Sequence, residues 1–190
     1  RDVKKSVGWS TWLDKYGTNA DATRELKSLC GEKFFDTPKP TSLIKWLINL
    51  HADDDGIILD FFAGSGSTGH AMYEQNSKDN LQRRFILVQL PEPVVKDTIA
   101  ANLGYKLIPE ITKERLTKAG KNYKNNGFKV FKLDETNIRP WGADFDNLEQ
   151  VLQQATKAIK DGRSSEDVLY EIFLKYGYEL TTPVETEAVN

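Results

Sequence analysis

"ILDFFAGSGSTGHAMYEQN", Ile58 to Asn76, sets three glycines, Gly64, Gly66 and Gly69, directly behind a short apolar run that ends in Asp60. The spacing is G-x-G-x-x-G. A short apolar run before such a turn reads as a central parallel strand. The residues from about Ser67 to Gln75 read as the helix that follows it. Each glycine has its own task on a strand-to-helix turn. Gly64 supplies a tight turn off the strand. Gly66 lets a ligand approach the backbone, because no Cβ stands in the way. Gly69 lets the helix lie close on the strand. The exposed N–H groups at the helix start, around Ser65 to Thr68, carry partial positive charge and favour an anionic or electron-rich ligand group.

Two cofactors fit a turn of this kind. A dinucleotide rests its pyrophosphate on those N–H groups and wants an acidic residue about 20 positions later for the ribose. S-adenosylmethionine uses the turn differently, with strand end and turn cradling its methionine and ribose portions. Asp60 favours the second. A carboxylate there can face the ammonium or sulfonium of S-adenosylmethionine, whereas it would repel a pyrophosphate. The plainer role for Asp60 is a strand-end carboxylate that caps loop amides. The next apolar run, "FILVQL" (Phe85–Leu90), ends with Gln89 where the dinucleotide fingerprint wants an acid. Gln89 can still hydrogen-bond a hydroxyl, and Glu92 lies within reach of the same rim. A nicotinamide- or flavin-dependent oxidoreductase is disfavoured on both counts. A non-catalytic assembly module on a degenerate fold is the other alternative.

Outward from the turn, the chain alternates strand and helix. "NADATRELKSLCG" reads as a helix capped by Asn19 or Asp21, with Glu25 available for a capping box and a stop at Gly31. "EKFFDTPKP" reads as extended, because Pro38 and Pro40 push Thr37 and Lys39 out of helical geometry. "TSLIKWLINLHAD" predicts a helix capped by Thr41 or Ser42, with Leu43, Trp46, Leu47 and Leu50 as its apolar face. "PEPVVKDTIAANLG" and "IPEITKERLTKAGKNYKNN" predict two more helices, and the alternation in "GFKVFKLD" predicts a third strand. "NLEQVLQQATKAIKDG" and "SSEDVLYEIFLKYG" predict two amphipathic helices, the second capped by Ser164 or Ser165 with Asp167 in its first turn and Gly177 as its stop. The pattern is an α/β fold with a mostly parallel sheet and appended C-terminal helices.

Composition narrows the function classes. The chain has 190 residues, 39% hydrophobic and 28% charged, ordinary for a globular protein with a core of its own. Its net charge of −2 argues against a tight unaided grip on duplex phosphates. One cysteine, Cys30, excludes an internal disulfide, and with only two histidines a zinc site has almost no ligands to draw on. No apolar run approaches the roughly 20 residues of a membrane helix, and "RDVKKSVGWS" lacks a secretory apolar region. Lys113, Arg115, Lys118, Lys121 and Lys124 make a basic stretch that could track phosphates; Glu110 and Glu114 among them favour a solvated helix face. His70, on the first helix turn after the glycines, could approach the cofactor but reads better as a half-buried helix histidine, and Trp9, Trp12, Trp46 and Trp141 read as packing residues that could alternatively stack bases.

"FDTPKPTSLIKWLI", "ILDFFAGSGSTGHAM", "RRFILVQLPEP", "ITKERLTKAG", "GFKVFKLDETNIRPW" and "LYEIFLKYGYELTTPVE" together resemble the methylation (modification) subunit of type III restriction–modification systems. These are DNA adenine-N6 methyltransferases of the circularly ordered beta group. The resemblance implies a Rossmann-like S-adenosylmethionine-dependent methyltransferase fold, here in part. Residues 1–34 would be a helical lead-in from the recognition region, 35–140 the S-adenosylmethionine-binding part, and 141–190 a C-terminal helical segment. It assigns Phe35, Thr37, Lys39 and Pro40 of the Lys-Pro stretch to the cofactor, together with Asp60, Phe61, Phe62, Ala63, Gly64, Ser65, Gly66 and Thr68. Gln89 stands where the family's ribose-binding acid sits, with Glu92 as the reserve. The family's catalytic Asp-Pro-Pro-Tyr is nowhere in these residues. The chain therefore reads as the C-terminal part of such a subunit, cut after the recognition region, with no catalytic residue of its own. The implied partners are DNA, a second modification subunit and the restriction subunit, with the stripe Leu169, Ile172, Phe173 and Tyr176 as a docking face or a closure of its own core. The implied location is the bacterial cytoplasm.

Overall fold

The computed structural model describes residues 13–51, 54–123, 127–139 and 158–187. Trp9, Trp12, Trp141, Lys124 and residues 147–157 of the first expected C-terminal helix lie outside them. The chain divides into two compact units, residues 1–127 and 128–190.

The first unit holds a 3-10 turn (Asp14–Tyr16), α1 (Asn19–Cys30), α2 (Thr41–His51), β1 (Ile57–Asp60), α3 (Ser67–Asp79), β2 (Arg84–Leu87), α4 (Ile99–Asn102) and α5 (Ile108–Gly120). Strands β1 and β2 pair in parallel, with Ile58 opposite Phe85 and Asp60 opposite Leu87. Helix α3 is the connection between them, as the glycine turn predicts.

Side chains alternate across a strand. Ile58 and Phe85 turn onto a core of Ile48, Ala71 and Met72, contributed by α2 and α3. Ile57, Leu59 and Ile86 point the other way and stay half-exposed, at 52%, 55% and 51%. The expectation of strands buried on both faces is thus corrected: helices cover one face among the described residues. The apolar face of α2 is corrected too. Ile44 and Ile48 meet α3, Leu47 is exposed, and Trp46 serves the 3-10 turn, its ring 4.7 Å from Tyr16.

A second core gathers Leu26, Phe34, Ala100 and Ile111, with Cys30 and Phe35 against it. Burial pushes the Cys30 thiol above its ordinary range, as suits a packing residue. Thr18 caps α1, in a reciprocal box with Asp21. That leaves Glu25 to tie α1 to other elements. The helix expected across Pro91–Gly104 shrinks to the one turn of α4. Pro93 bridges to Leu107, Asp97 takes a positive φ of 62°, and Thr98 starts the turn afresh by accepting from Ala101 N–H.

In the second unit, Ser164 and Asp167 form a capping box at the start of α6 (Ser165–Tyr176), and Gly177 ends it with φ 76°. The expected third strand is absent among the described residues, where 127–136 pair with no strand. The segment is held by side chains instead. Lys129 Nζ donates to Tyr170 Oη at 2.9 Å and to the Leu180 carbonyl at 3.1 Å, and Phe131 meets the Tyr170 ring. Leu133, which strand alternation would bury, is 98% exposed. Residues Ala158–Lys160 are not helical; Ile159 forms an antiparallel bridge with Ile138. No described helix is long and apolar enough to cross a membrane.

Candidate cofactor site at the strand ends

Ligands of open parallel sheets bind beyond the carboxyl ends of the strands. Here those ends are Asp60 and Leu87, paired in register. The ladder continues one step past the strands: Val88 N–H donates to the Asp60 carbonyl at 2.8 Å, and Ala63 N–H to the Val88 carbonyl at 3.1 Å. A regular parallel ladder would use Phe62 rather than Ala63, so one extra residue is accommodated at Phe61 and Phe62. Both rings are exposed, at 60% and 78%, and meet edge to face at 5.4 Å.

Asp60 organises the turn. One carboxylate oxygen accepts from Phe62 N–H at 3.0 Å and the other from Thr68 Oγ1 at 2.6 Å. The capping role expected as the plainer reading is therefore present. Both donors are neutral, so neither cancels the carboxylate charge. Gln89 closes the turn from β2, its Oε1 accepting from Gly64 N–H at 2.7 Å. Gly64 and Gly66 both have positive φ, 52° and 79°, where a side chain would be strained.

Helix α5 covers the start of α3. Thr112 Oγ1 donates to the Gly64 carbonyl at 2.6 Å. Arg115, fully buried, donates from Nη1 to Ser65 Oγ at 3.1 Å and to Ser67 Oγ at 2.7 Å. Its Nη2 pairs with Glu25 Oε1 at 3.2 Å, and the other Glu25 oxygen accepts from Thr41 N–H. Three expectations change. The helix start is not exposed, since Ser65, Ser67 and Thr68 are all buried. The missing Cβ of Gly66 makes room for Thr112, whose carbonyl would lie 3.2 Å from it, rather than for a ligand. Arg115 belongs to the core, not to a solvated face. Gly69 behaves as expected: a Cβ there would strike Leu116 at 2.4 Å and Leu87 of β2 at 3.1 Å.

Of the Lys-Pro stretch, Phe35 reaches the turn, where its ring edge lies 3.4 Å from the position of a Gly64 Cβ. Thr37 and Lys39 are exposed, and Pro40 packs against Gly17 at the entry to α2. Glu92 is exposed, and its backbone joins the Leu107–Ile108 corner by accepting from Ile108 N–H at 2.9 Å. The site that sequence reasoning missed is the support under the turn: Thr112, Arg115 and Glu25. A signal was available. Ile111, Thr112, Arg115, Leu116 and Ala119 fall on one helical stripe, so the arginine stands in an apolar face.

His70, behind the turn, is buried and held neutral. Burial, with Arg115 beside it, lowers its pKa to about 4. Its Nδ1 faces Arg115 and its Nε2 faces Glu74 at 3.4 Å. Glu25, His70 and Glu74 come close enough to suggest a cation site. Their charge is already matched by Arg115 on Glu25 and Lys45 on Glu74. A shallow cleft of about 580 Å³ is lined by these residues together with Lys118, Lys121 and Tyr123, and by none of the strand-end residues.

Comparison with known proteins gives the family. The DNA methylase family matches residues 4–99, just over half of the chain. The Mod subunit of the type III restriction-modification enzyme StyLTI from Salmonella typhimurium is 42% identical over 117 residues, 62% of this chain and 18% of the relative. The EcoP15I Mod subunit from Escherichia coli is 44% identical over 114 residues, 59% of this chain and 18% of the relative. The type II methyltransferase M.KpnI from Klebsiella pneumoniae is 40% identical over 127 residues, 67% of this chain and 29% of the relative. The chain thus spans less than a third of these relatives' lengths, and it belongs to the DNA methylase family.

Proposed function

We propose that the chain forms the S-adenosylmethionine-binding part of a Rossmann-like DNA methyltransferase that modifies adenine N6 within a type III restriction–modification system. The observation that carries this reading is Asp60. It is aimed by two neutral donors at the carboxyl end of β1, so an uncancelled negative charge stands where the ligand arrives. That suits the ammonium and sulfonium of S-adenosylmethionine and opposes a pyrophosphate. The burial of the α3 start under Arg115 argues the same way, since a dinucleotide needs those amides open.

In this reading Asp60 faces the cationic part of the donor, the exposed Phe61 and Phe62 rings offer it apolar surface, and Gly64 with Phe35 shapes the floor. Gln89 gives its Oε1 to the turn, so the exposed Glu92 is the better placed for the ribose hydroxyls. S-adenosylmethionine supplies a methyl group already activated on sulfur, and the protein's contribution is position and matched charge. Adenine in a duplex has to be flipped out to meet it. The bare apolar face of Ile57, Leu59 and Ile86 supports a sheet that continues under a second layer. DNA, a second modification subunit and a restriction subunit are the proposed partners. The likeness to M.KpnI supports a second reading, the same chemistry in a type II enzyme.

The chain by itself should bind S-adenosylmethionine weakly and methylate nothing, as its 190 residues contain no Asp-Pro-Pro-Tyr. Titration calorimetry tests this. Heat with S-adenosylmethionine and none with a nicotinamide dinucleotide supports the reading; the reverse result overturns it.

A further inference from the structure

We propose that Arg115 is the positioning residue of the glycine turn: its buried guanidinium, bonded to Ser65 and Ser67, fixes the conformation in which the turn receives S-adenosylmethionine. The inference rests on the reading of the turn given above.

Stability alone does not account for an arginine at this position. Taking a guanidinium out of water is costly, and an apolar side chain of similar volume is often as stable or more so. The location adds a further cost, because the first turn of α3 carries partial positive charge of the same sign. Burial accordingly pushes the Arg115 pKa down, against the pull of Glu25. What the arginine does that an apolar residue could not is reach two hydroxyls at once. Nη1 lies 3.1 Å from Ser65 Oγ and 2.7 Å from Ser67 Oγ, and the two hydroxyls lie 3.3 Å from each other.

The segment so gripped is the one with the most freedom to lose. Gly64 and Gly66 flank Ser65, both at positive φ, and glycine has the largest backbone entropy of any residue. One turn earlier on the same helix, Thr112 holds the Gly64 carbonyl. Helix α5 therefore grips the turn at three successive points: Gly64, Ser65 and Ser67. Glu25 holds the guanidinium from the far side and is itself tied to α2 through Thr41 N–H. Three helices converge on one loop conformation, and ordering a binding loop in advance lowers the entropic cost of binding.

The test compares the wild-type chain with two variants. Glu25→Gln/Arg115→Met removes the buried charge pair together, leaving no orphan ion. Ser65→Ala/Ser67→Ala removes only the gripped hydroxyls. Calorimetry with S-adenosylmethionine, thermal unfolding and amide hydrogen exchange are read on each. The expected result is a melting temperature within a few degrees of wild type, faster exchange at Gly64–Ser67, and an affinity about tenfold weaker in both variants, about 1.4 kcal/mol. Combining all four substitutions should add little, because both pairs break the same grip. An affinity within about twofold of wild type in the folded charge-pair variant, or fully additive losses, overturns the proposal. If that variant does not fold, the serine variant decides: weakened binding supports the grip and unchanged binding overturns it. A wild-type chain that binds no S-adenosylmethionine overturns the reading of the turn itself, and the positioning role with it.

Discussion

Thr68 Oγ1 donates to Asp60 Oδ2 across 2.6 Å, so the first turn of α3 is bonded to the last residue of the strand before it. With the second bond from Phe62 N–H, the carboxylate is fixed in direction while its charge stays uncancelled. Asp60→Asn keeps the shape and removes the charge. The expected cost in stability is about 1 kcal/mol, one hydrogen bond's worth, read by urea unfolding. The expected cost in S-adenosylmethionine affinity is about tenfold or more, read by calorimetry. Equal affinity in the two proteins would remove Asp60 from the ligand's surroundings.

Two glycines separate backbone strain from crowding. Gly104 has φ 89° and open space around it, whereas Gly66 has φ 79° with the Thr112 carbonyl 3.2 Å from where a Cβ would stand. Gly104→Ala should cost about 1 kcal/mol, the conformational penalty alone. Gly66→Ala should cost about 2–3 kcal/mol, because α5 must also shift. Denaturant midpoints at constant slope measure both; equal costs would mean that α5 does not bear on the turn.

His70 makes an acid-side prediction. Its folded pKa of about 4 lies below the ordinary 6.5, chiefly through burial. The unfolded chain therefore binds the proton first as pH falls. The stability due to neutral His70 is complete above pH 6.5 and is lost progressively toward pH 4, on the order of 3 kcal/mol in all. Asp21, Asp134 and Glu171, each held near 2 by hydrogen bonds from its neighbours, lose their contributions as pH falls from their ordinary values of 3.8, 3.8 and 4.5 toward 2. His70→Gln should flatten the stability profile between pH 6.5 and 4.5. An unchanged slope in that window would show that His70 is not the group responsible.

In the second unit, Ser164 accepts from Asp167 N–H at 3.1 Å and its own N–H donates to the Asp167 carboxylate at 2.9 Å. Ser164→Ala should lower the protection of the first-turn amides of α6 by about 1 kcal/mol in hydrogen exchange. Protection that stays at the wild-type level would mean the box contributes nothing there.

The parts legible in the sequence are those with local causes. The strand before the glycine turn, the helix after it, the return strand at Phe85 and the capped helix from Ser165 all follow from periodicity, positive-φ glycines and capping chemistry. What was not legible depends on which surface another element covers. The stripe Ile111, Leu116 and Ala119 sets Arg115 apart from its lysine neighbours, but what covers that stripe is decided by the packing of α5 on α3. "GFKVFKLD" alternates as a strand does, but alternation supplies no pairing partner, and the segment lies on Tyr170 instead. The helix expected across Pro93 and Asp97 fails at backbone positions that a windowed pattern smooths over. The glycine spacing shows that Gly66 needs room, not that Thr112 fills it.

The central claim is that the ligand meets the protein at the strand ends and not in the cleft lined by His70. An amide-resolved NMR titration of the chain with S-adenosylmethionine tests it most directly. The account predicts saturable shifts at Asp60–Ser65 and Gln89–Glu92. Shifts confined to Glu25, Lys121 and Tyr123 around the cleft, or shifts at the turn produced only by a nicotinamide dinucleotide, would contradict it.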